Sequence, residues 1–333
     1  MKAFILDKYG KKSVLRLGQA PEPELRDDEV LVKIQAAGVN LLDAKIRNGE
    51  FKPLLPYRTP LILGHDVAGT VVKVGPRVRG FKPGDPVYSR PDDFRIGAFA
   101  EFIAIKESSL ALKPATLSIE EAASIPLVGL TAWQALVEKA NLRKGQKVFI
   151  QAGSGGVGTF AIQLAKHLGA YVATTTSGKN AAWVKDLGAD LVIDYTKDDF
   201  EKILADFDVV LNSQDSKTLV KSLSVLKPGG KLISISGPPD PAFAAELGLA
   251  TLLRILMSLL SSGIRKKAKR RNVSYSFLFM KADGGQLREI TKLIDSGVIR
   301  PVVDRVFPFE ATQDAMAYVE AGRAKGKVVI QVQ

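Results

Sequence analysis

The chain contains no cysteine in its 333 residues, which removes disulfides and thiolate metal sites and suits a reducing compartment. Histidine is almost as scarce, with single copies at His65 and His167. A catalytic zinc needs three protein ligands in a closed geometry, and two separated imidazoles without a thiolate do not supply them. His65 is read instead as a structural, hydrogen-bonded histidine, and His167 as an exposed one late in a helix. No low-complexity stretch and no fixed-period repeat stands out. Met1 to Leu6 runs straight into a strand-like segment and lacks the apolar run and cleavage site of a signal peptide. Cytoplasm is the expected compartment. The apolar stretch Leu247 to Leu260 is too short, and too interrupted by Arg254, for a membrane span.

What is present is an ordinary globular composition with a basic bias. Hydrophobic residues make up 46% and charged residues 25%, and the length suffices for one large domain or two ordinary ones. Lysine and arginine outnumber aspartate and glutamate by 47 to 35, a formal net charge of +12. Such an excess suits nucleic acid, an anionic membrane or an anionic cofactor. Its densest part, Arg265-Lys266-Lys267 with Lys269-Arg270-Arg271, follows the apolar stretch. We read the pair as an amphipathic helix packed on a domain or partner surface, then a solvated basic turn. Peripheral membrane contact through Leu247–Arg271 is the second reading. No nucleic acid is expected as a partner, since no aromatic residues interleave the charge.

Periodicity divides the chain into three. The first third is strands and turns: Glu29 to Ala36 alternates like a half-buried strand, and Val67 to Gly75 is a β-branched run closed by Gly-Pro. Phe81 to Tyr88 places a Pro-Gly-Asp turn before another strand. Frequent Gly and Pro punctuation points to a small barrel or sandwich. From Ile119 helical material begins, and from Lys147 strand and helix alternate. Strands are expected at Lys147–Gln151, Tyr171–Thr175, Leu191–Ile193, Val209–Leu211 and Lys231–Ile235. Helices are expected at Thr159–Leu168 and Ala181–Leu187. That rhythm implies a parallel sheet covered on both faces. After a helix from Gln286 to Ile294, the strands Arg305–Phe309 and Lys327–Val332 return to the texture of the first third. The fold class is α/β, with the parallel-sheet domain inserted into a discontinuous β-rich one.

Gly153-Ser154-Gly155-Gly156-Val157-Gly158 satisfies G-x-G-x-x-G between an expected strand and an expected helix. Gly153 permits the tight turn, Gly155 lets backbone approach a pyrophosphate, and Gly158 permits close helix–sheet packing. The helix N-terminus offers free N–H groups to the phosphates. An NAD site usually carries Asp or Glu at the end of the second strand. Here the chain reads Thr174-Thr175-Thr176-Ser177-Gly178-Lys179-Asn180. Lys179 can neutralise a 2′-phosphate and Ser177 can donate to it, so NADPH is the expected cofactor.

The sequence resembles the medium-chain dehydrogenase/reductase superfamily, in its zinc-independent NADPH quinone and enone oxidoreductase branch. The resemblance rests on Ala37-Gly38-Val39-Asn40-Leu41-Leu42-Asp43, Leu63-Gly64-His65-Asp66-Val67-Ala68-Gly69, Gly129-Leu130-Thr131-Ala132-Trp133 and the glycine loop. Leu187-Gly188-Ala189-Asp190, Ile193-Asp194-Tyr195 and Gly326-Lys327-Val328-Val329 complete it. Zinc-dependent members place a cysteine where Asn40 stands and a histidine–glutamate pair where His65-Asp66 stands. The resemblance implies a GroES-like β-rich catalytic domain at 1–125 and 279–333, with a Rossmann, doubly wound NADPH-binding domain at 126–278. It implies cofactor contacts from Thr131, Ser154, Gly156, Val157, Ser177, Lys179, Tyr195, Gly237, Phe279 and Lys327. Tyr195 is expected at the 2′-phosphate beside Lys179. Relatives often read Asn-Val-Gly-Gly where this chain has Asn212-Ser213-Gln214-Asp215, so no contact is carried over there.

The implied reaction is hydride transfer from NADPH to a quinone or an α,β-unsaturated carbonyl. Asn40 is the expected residue to orient substrate or the nicotinamide ribose. Asp43 and Tyr57 are further catalytic candidates, each equally readable as a helix-start or packing residue. A homodimer is implied, through strands near Val273 to Phe277. The alternatives are a non-catalytic or membrane-associated NADPH-binding protein that keeps the fold, and a zinc alcohol dehydrogenase.

Overall fold

A computed structural model describes every residue except Lys12 and Leu249, the second of which belongs to the apolar stretch 247–260. The chain forms two compact units, one of Met1–Leu130 with Lys281–Gln333 and the other of Thr131–Met280.

The first unit is built on a seven-stranded sheet. Its spine is the strand Glu29–Val39, paired antiparallel with Asp66–Val74, Phe102–Lys106 and Lys327–Gln331. Val30, Val32 and Ile34 point inward from alternate positions and are fully buried, each contributing roughly 1.5–3 kcal/mol of burial free energy. Beyond Gln35 both faces are covered, and the residues become small. A Cβ on Gly38 would meet the Ala123 carbonyl oxygen at 2.5 Å, so the helix Ile119–Ala123 lies directly on the strand backbone. The strand then turns at once into the helix Leu41–Arg47. The Asp43 carboxylate takes the Asn40 backbone N–H at 2.9 Å, as an acidic residue in a first helical turn can. Asn40 is thereby fixed at the junction of strand and helix. A three-stranded sheet, ordered Arg16–Gln19, Lys2–Leu6, Leu61–Ile62, completes this β-rich unit.

The second unit is a six-stranded parallel sheet. From one edge its strands are Leu191–Asp194, Tyr171–Thr176, Lys147–Ile150, Phe207–Asn212, Leu226–Ser234 and Ser274–Phe277. Numbered along the chain, this is the order 3-2-1-4-5-6 of the Rossmann fold. Phe207 to Asn212 is buried at every position, as a strand covered on both faces must be. Phe149, Ala173, Val210 and Leu232 share one apolar cluster with Ile264 and Ala268 of a covering helix. The topological reversal falls between Lys147–Ile150 and Phe207–Asn212, where such sheets open a crevice at their carboxyl ends.

One expectation is corrected. The cations from Arg265 to Arg270 do not form a solvated turn; they are the last turns of a helix running from Thr251 to Arg270. A helix C-terminus carries partial negative charge, and Lys267, Lys269 and Arg270 complement it. Met257, Ser261, Ile264 and Ala268 form the inward face of this helix, while Leu252, Ile255, Leu256, Leu259 and Leu260 are exposed. Among the described residues, no helix is long and apolar enough to cross a membrane.

Candidate active site

In the parallel-sheet unit, the loop after Lys147–Ile150 separates the duties of its glycines. A Cβ on Gly153 would lie 2.3 Å from the Thr174 hydroxyl oxygen, and one on Gly158 would lie 2.2 Å from the Ala152 carbonyl oxygen. Both positions are glycine because the protein itself presses on them. Gly155 differs: a Cβ there would meet only the Ala152 oxygen, at 3.3 Å, so its α-carbon faces open space. Gly155 is also the N-cap of the helix Gly156–His167, and no side chain caps that first turn. Its N–H groups are thus left for an external acceptor. The residues fit a dinucleotide pyrophosphate.

At the end of the second strand, Ser177 caps a short turn at Gly178–Asn180 and accepts from the Asn180 amide at 3.1 Å. Lys179 is exposed, with no ion-pair partner among the described residues, and Tyr195 stands out at 64% exposure. Thr176 is buried, and its hydroxyl has no hydrogen-bond partner among the described residues. This corner also holds a carboxylate to which the sequence reading gave no site role. Asp194, ending the third strand, takes the hydroxyl of Thr196 at 2.8 Å and its backbone N–H at 3.1 Å, and these bonds hold its carboxyl below the usual range. Gly178 lies against it, since a Cβ there would meet Asp194 Oδ2 at 2.5 Å. Asp194 is therefore an anion, but one already engaged within its own turn.

Across the strand ends runs a buried hydrogen-bond chain that spacing alone did not reveal. Gln151 donates to the Ser222 hydroxyl and accepts from Asn212, both at 2.6 Å. Asn212 accepts in turn from Ser234 at 2.7 Å, and the Ser234 hydroxyl accepts the Gly237 N–H at 2.8 Å. Asn212, in the segment that departs from the relatives' pattern, is thus a positioning residue for the Gly237 loop. Phe279 is half-buried near Phe243, with ring centroids 6.2 Å apart, and Thr131 is buried in the helix Pro126–Trp133.

The β-rich unit holds a second polar constellation around Asn40. Asp43, fully buried, takes His65 Nδ1 at 2.5 Å, the Gly64 N–H at 3.1 Å and the Asn40 N–H. Asp66, also fully buried, takes the Leu127 N–H at 2.6 Å, the Asn40 side-chain amide at 2.9 Å and the Lys327 ammonium at 2.9 Å. Lys327 donates further to Asn40 Oδ1 and to the Val39 carbonyl. The Asn40 amide is thereby locked, its oxygen on the lysine and its nitrogen on the aspartate. Lys327 belongs to this network, among buried carboxylate and amide groups. His65 Nε2 is buried with no partner among the described residues. Tyr57 is buried too; loss of hydration, and secondarily the charges of Asp93 and Asp43, push its hydroxyl well above the usual phenol range.

Zinc does not fit these residues. Where a ligand trio would be needed, Asn40 offers an amide, His65 turns Nδ1 to Asp43, and Asp66 already holds an ammonium. No group of three or more His, Cys, Asp or Glu side chains placed for a metal occurs among the described residues.

A Rossmann-ordered sheet with a glycine cradle, in a chain that also forms a separate β-rich unit, defines the class of two-unit dinucleotide-binding α/β proteins. Residues 26–115 match the alcohol dehydrogenase GroES-like domain, and residues 187–330 match the family described as zinc-binding dehydrogenase. The zebrafish (Danio rerio) mitochondrial NAD(P)H oxidoreductase RTN4IP1 is 38% identical, over 100% of this chain and 91% of its own length. The 2-methylene-furan-3-one reductase of Solanum lycopersicum is 38% identical, over 99% of this chain and 79% of its own. Among solved structures, the quinone oxidoreductase of Coxiella burnetii superposes with a TM-score of 0.87 at 31% identity, covering 100% of this chain and 99% of that one. The chain belongs to the medium-chain dehydrogenase/reductase superfamily.

Proposed function

We propose that this chain is an NADPH-dependent reductase of quinones or α,β-unsaturated carbonyls that works without zinc. One observation carries the reading: a glycine cradle is followed, at the second strand end, by an unpaired lysine and hydroxyl groups instead of a carboxylate. The relatives support it, one named an NAD(P)H oxidoreductase, one a 2-methylene-furan-3-one reductase and one a quinone oxidoreductase.

Gly153, Ser154, Gly155, Gly156, Val157 and Gly158 cradle the pyrophosphate, and Ser177, Lys179 and Tyr195 receive the 2′-phosphate. Thr131, Gly237, Phe279 and Lys327 serve the nicotinamide half. The cofactor domain is residues 126–278, and the catalytic domain is 1–125 with 279–333. NADPH supplies the hydride. Asn40, its amide locked between Lys327 and Asp66, orients the substrate or the nicotinamide ribose. Asp43 acts by holding His65 and the Asn40 backbone. Tyr57 keeps its proton at neutral pH and is the proposed donor toward the oxygen that gains negative charge.

Two finer proposals concern partners. The strand Ser274–Phe277 is a sheet edge with one neighbour, which suits continuation of the sheet into a second copy. The exposed leucines of Thr251–Arg270, with cations in the same helix, suit peripheral contact with an anionic lipid surface. Sedimentation tests the first proposal and flotation with anionic vesicles the second. A cytoplasmic location, the expectation from the N-terminal segment, is tested by cell fractionation. The function itself is tested by following NADPH and NADH oxidation with a panel of quinones, alkenals and enones. Absence of turnover with all of them, or tighter binding of NADH than of NADPH, overturns the reading.

A further inference from the structure

Asp92 to Arg95 makes a tight turn, closed by the Arg95 N–H on the Asp92 carbonyl at 3.0 Å. Its third residue, Phe94, has φ of +64°, and Asp93 before it is not among the residues of positive φ. A turn with positive φ at that place alone takes glycine or asparagine; a bulky aromatic there is an outlier held against its preference. Every other residue of the turn is tied down. Ser109 donates to Asp92 at 2.8 Å, the fully buried Arg90 holds Asp93 at 2.6 Å, and Arg95 pairs with the buried Glu29. The one untied side chain is the Phe94 ring, 57% exposed. Its inner side rests on Tyr57, with centroids 5.3 Å apart and planes at 50°. Tyr57 is the buried residue proposed above as the proton donor. The clamped turn therefore presents an aromatic face beside Tyr57, at a backbone position where strain points to function.

We propose that Phe94 is a specificity-determining residue: its exposed ring stacks on the flat conjugated ring of a cyclic quinone or enone, favouring such substrates over open-chain enones. This rests on the reductase reading above. Aromatic faces prefer offset or edge-on ring partners, and an open-chain carbonyl has no ring to offer.

The test compares wild type with Phe94→Gly and Phe94→Trp. Glycine suits the turn's backbone and removes only the ring, whereas tryptophan keeps an aromatic face. With naphthoquinone, Phe94→Gly is expected to lose about two- to tenfold in kcat/KM, the range of an aromatic pair. Methyl vinyl ketone should change by less than about twofold, and Phe94→Trp should retain naphthoquinone reduction. The Tm of Phe94→Gly should stay close to that of wild type, because the strain relieved offsets the lost Tyr57 contact and the added freedom of glycine in the unfolded chain. An equal loss on both substrates or an unchanged naphthoquinone value would each overturn the platform and leave the reductase reading intact. Wild type reducing neither substrate would sink the reductase reading instead. In that event, titration of the NADP+-loaded proteins with naphthoquinone still decides, since the platform requires about two- to tenfold weaker binding by Phe94→Gly.

Discussion

Two glycine-to-alanine changes, three residues apart, separate what the loop does for folding from what it does for cofactor. Gly155 has φ −86° and ψ 169°, which alanine adopts freely, and the new methyl would meet only the Ala152 oxygen, at 3.3 Å. Alanine restricts the unfolded chain, a gain of about 0.4–1 kcal/mol, and caps a helix less well than glycine by a similar amount. Stability should therefore change by less than about 1 kcal/mol. The methyl would stand where phosphate oxygens must come close to the helix N–H groups. Losing a hydrogen bond to a charged group costs about 1.5–3 kcal/mol, or roughly 10- to 150-fold in Kd for NADPH. Gly158→Ala reverses the pattern. Its methyl would fall 2.2 Å from the Ala152 oxygen and 2.8 Å from the Gly153 α-carbon, both backbone atoms that yield little. Overpacking costs about 1–3 kcal/mol, here at the upper end, and alanine's helix propensity returns up to about 1 kcal/mol. A net loss near 2 kcal/mol should appear as a lower urea midpoint. Urea unfolding with isothermal titration of both variants checks the pair. NADPH bound unchanged by Gly155→Ala, or Gly155→Ala less stable than Gly158→Ala, refutes the division of duties.

Lys179→Ala should weaken NADPH roughly tenfold while leaving NADH nearly unchanged, whereas Asp194→Asn, by removing an anion beside the same corner, should tighten NADPH; dinucleotide titrations give both ratios. Lys327→Met leaves the buried Asp66 carboxylate without its ammonium and should cost about 3–5 kcal/mol in urea unfolding. Replacing Asp66 by Leu as well should restore only part of that stability, because it removes the orphan charge but leaves the Leu127 N–H and the Asn40 amide without their acceptor. Since burial raises the Tyr57 hydroxyl, the group stays protonated through neutral and mildly alkaline pH. Its deprotonation should therefore put no limb on kcat/KM between about pH 6 and 9, and an alkaline limb that Tyr57→Phe abolishes would contradict this.

Local pattern carried a large part of the architecture. The strand Lys147–Ile150, the glycine turn and the helix Gly156–His167 were legible together, because each rests on short spacing: an apolar run, a turn that only glycine permits, then a helical period. The expected helix Ala181–Leu187 ends within a residue of the observed Ala181–Asp186 for the same reason. Composition misled where sign outweighed periodicity. The cations of 265–270 read as a solvated turn, yet they continue a helix whose inward face is marked only by Met257, Ser261, Ile264 and Ala268. Asp194 was legible only as part of the Ile193-Asp194-Tyr195 run, because its engagement depends on the path of a turn, not on residue type.

Residue order alone determined the succession of elements, the glycine cradle, and the lack of thiolate ligands, since these depend on neighbours along the chain. Tertiary structure alone decided which partners the polar residues take. Asp66 meets Lys327 across 261 positions, and Asn40 is locked between them. The turn that carries the left-handed Phe94 is held by Ser109 and Glu29 from distant segments and by Arg90 from just before it. No periodicity encodes contacts over such distances; they arise when burial forces each charge and amide to find a partner.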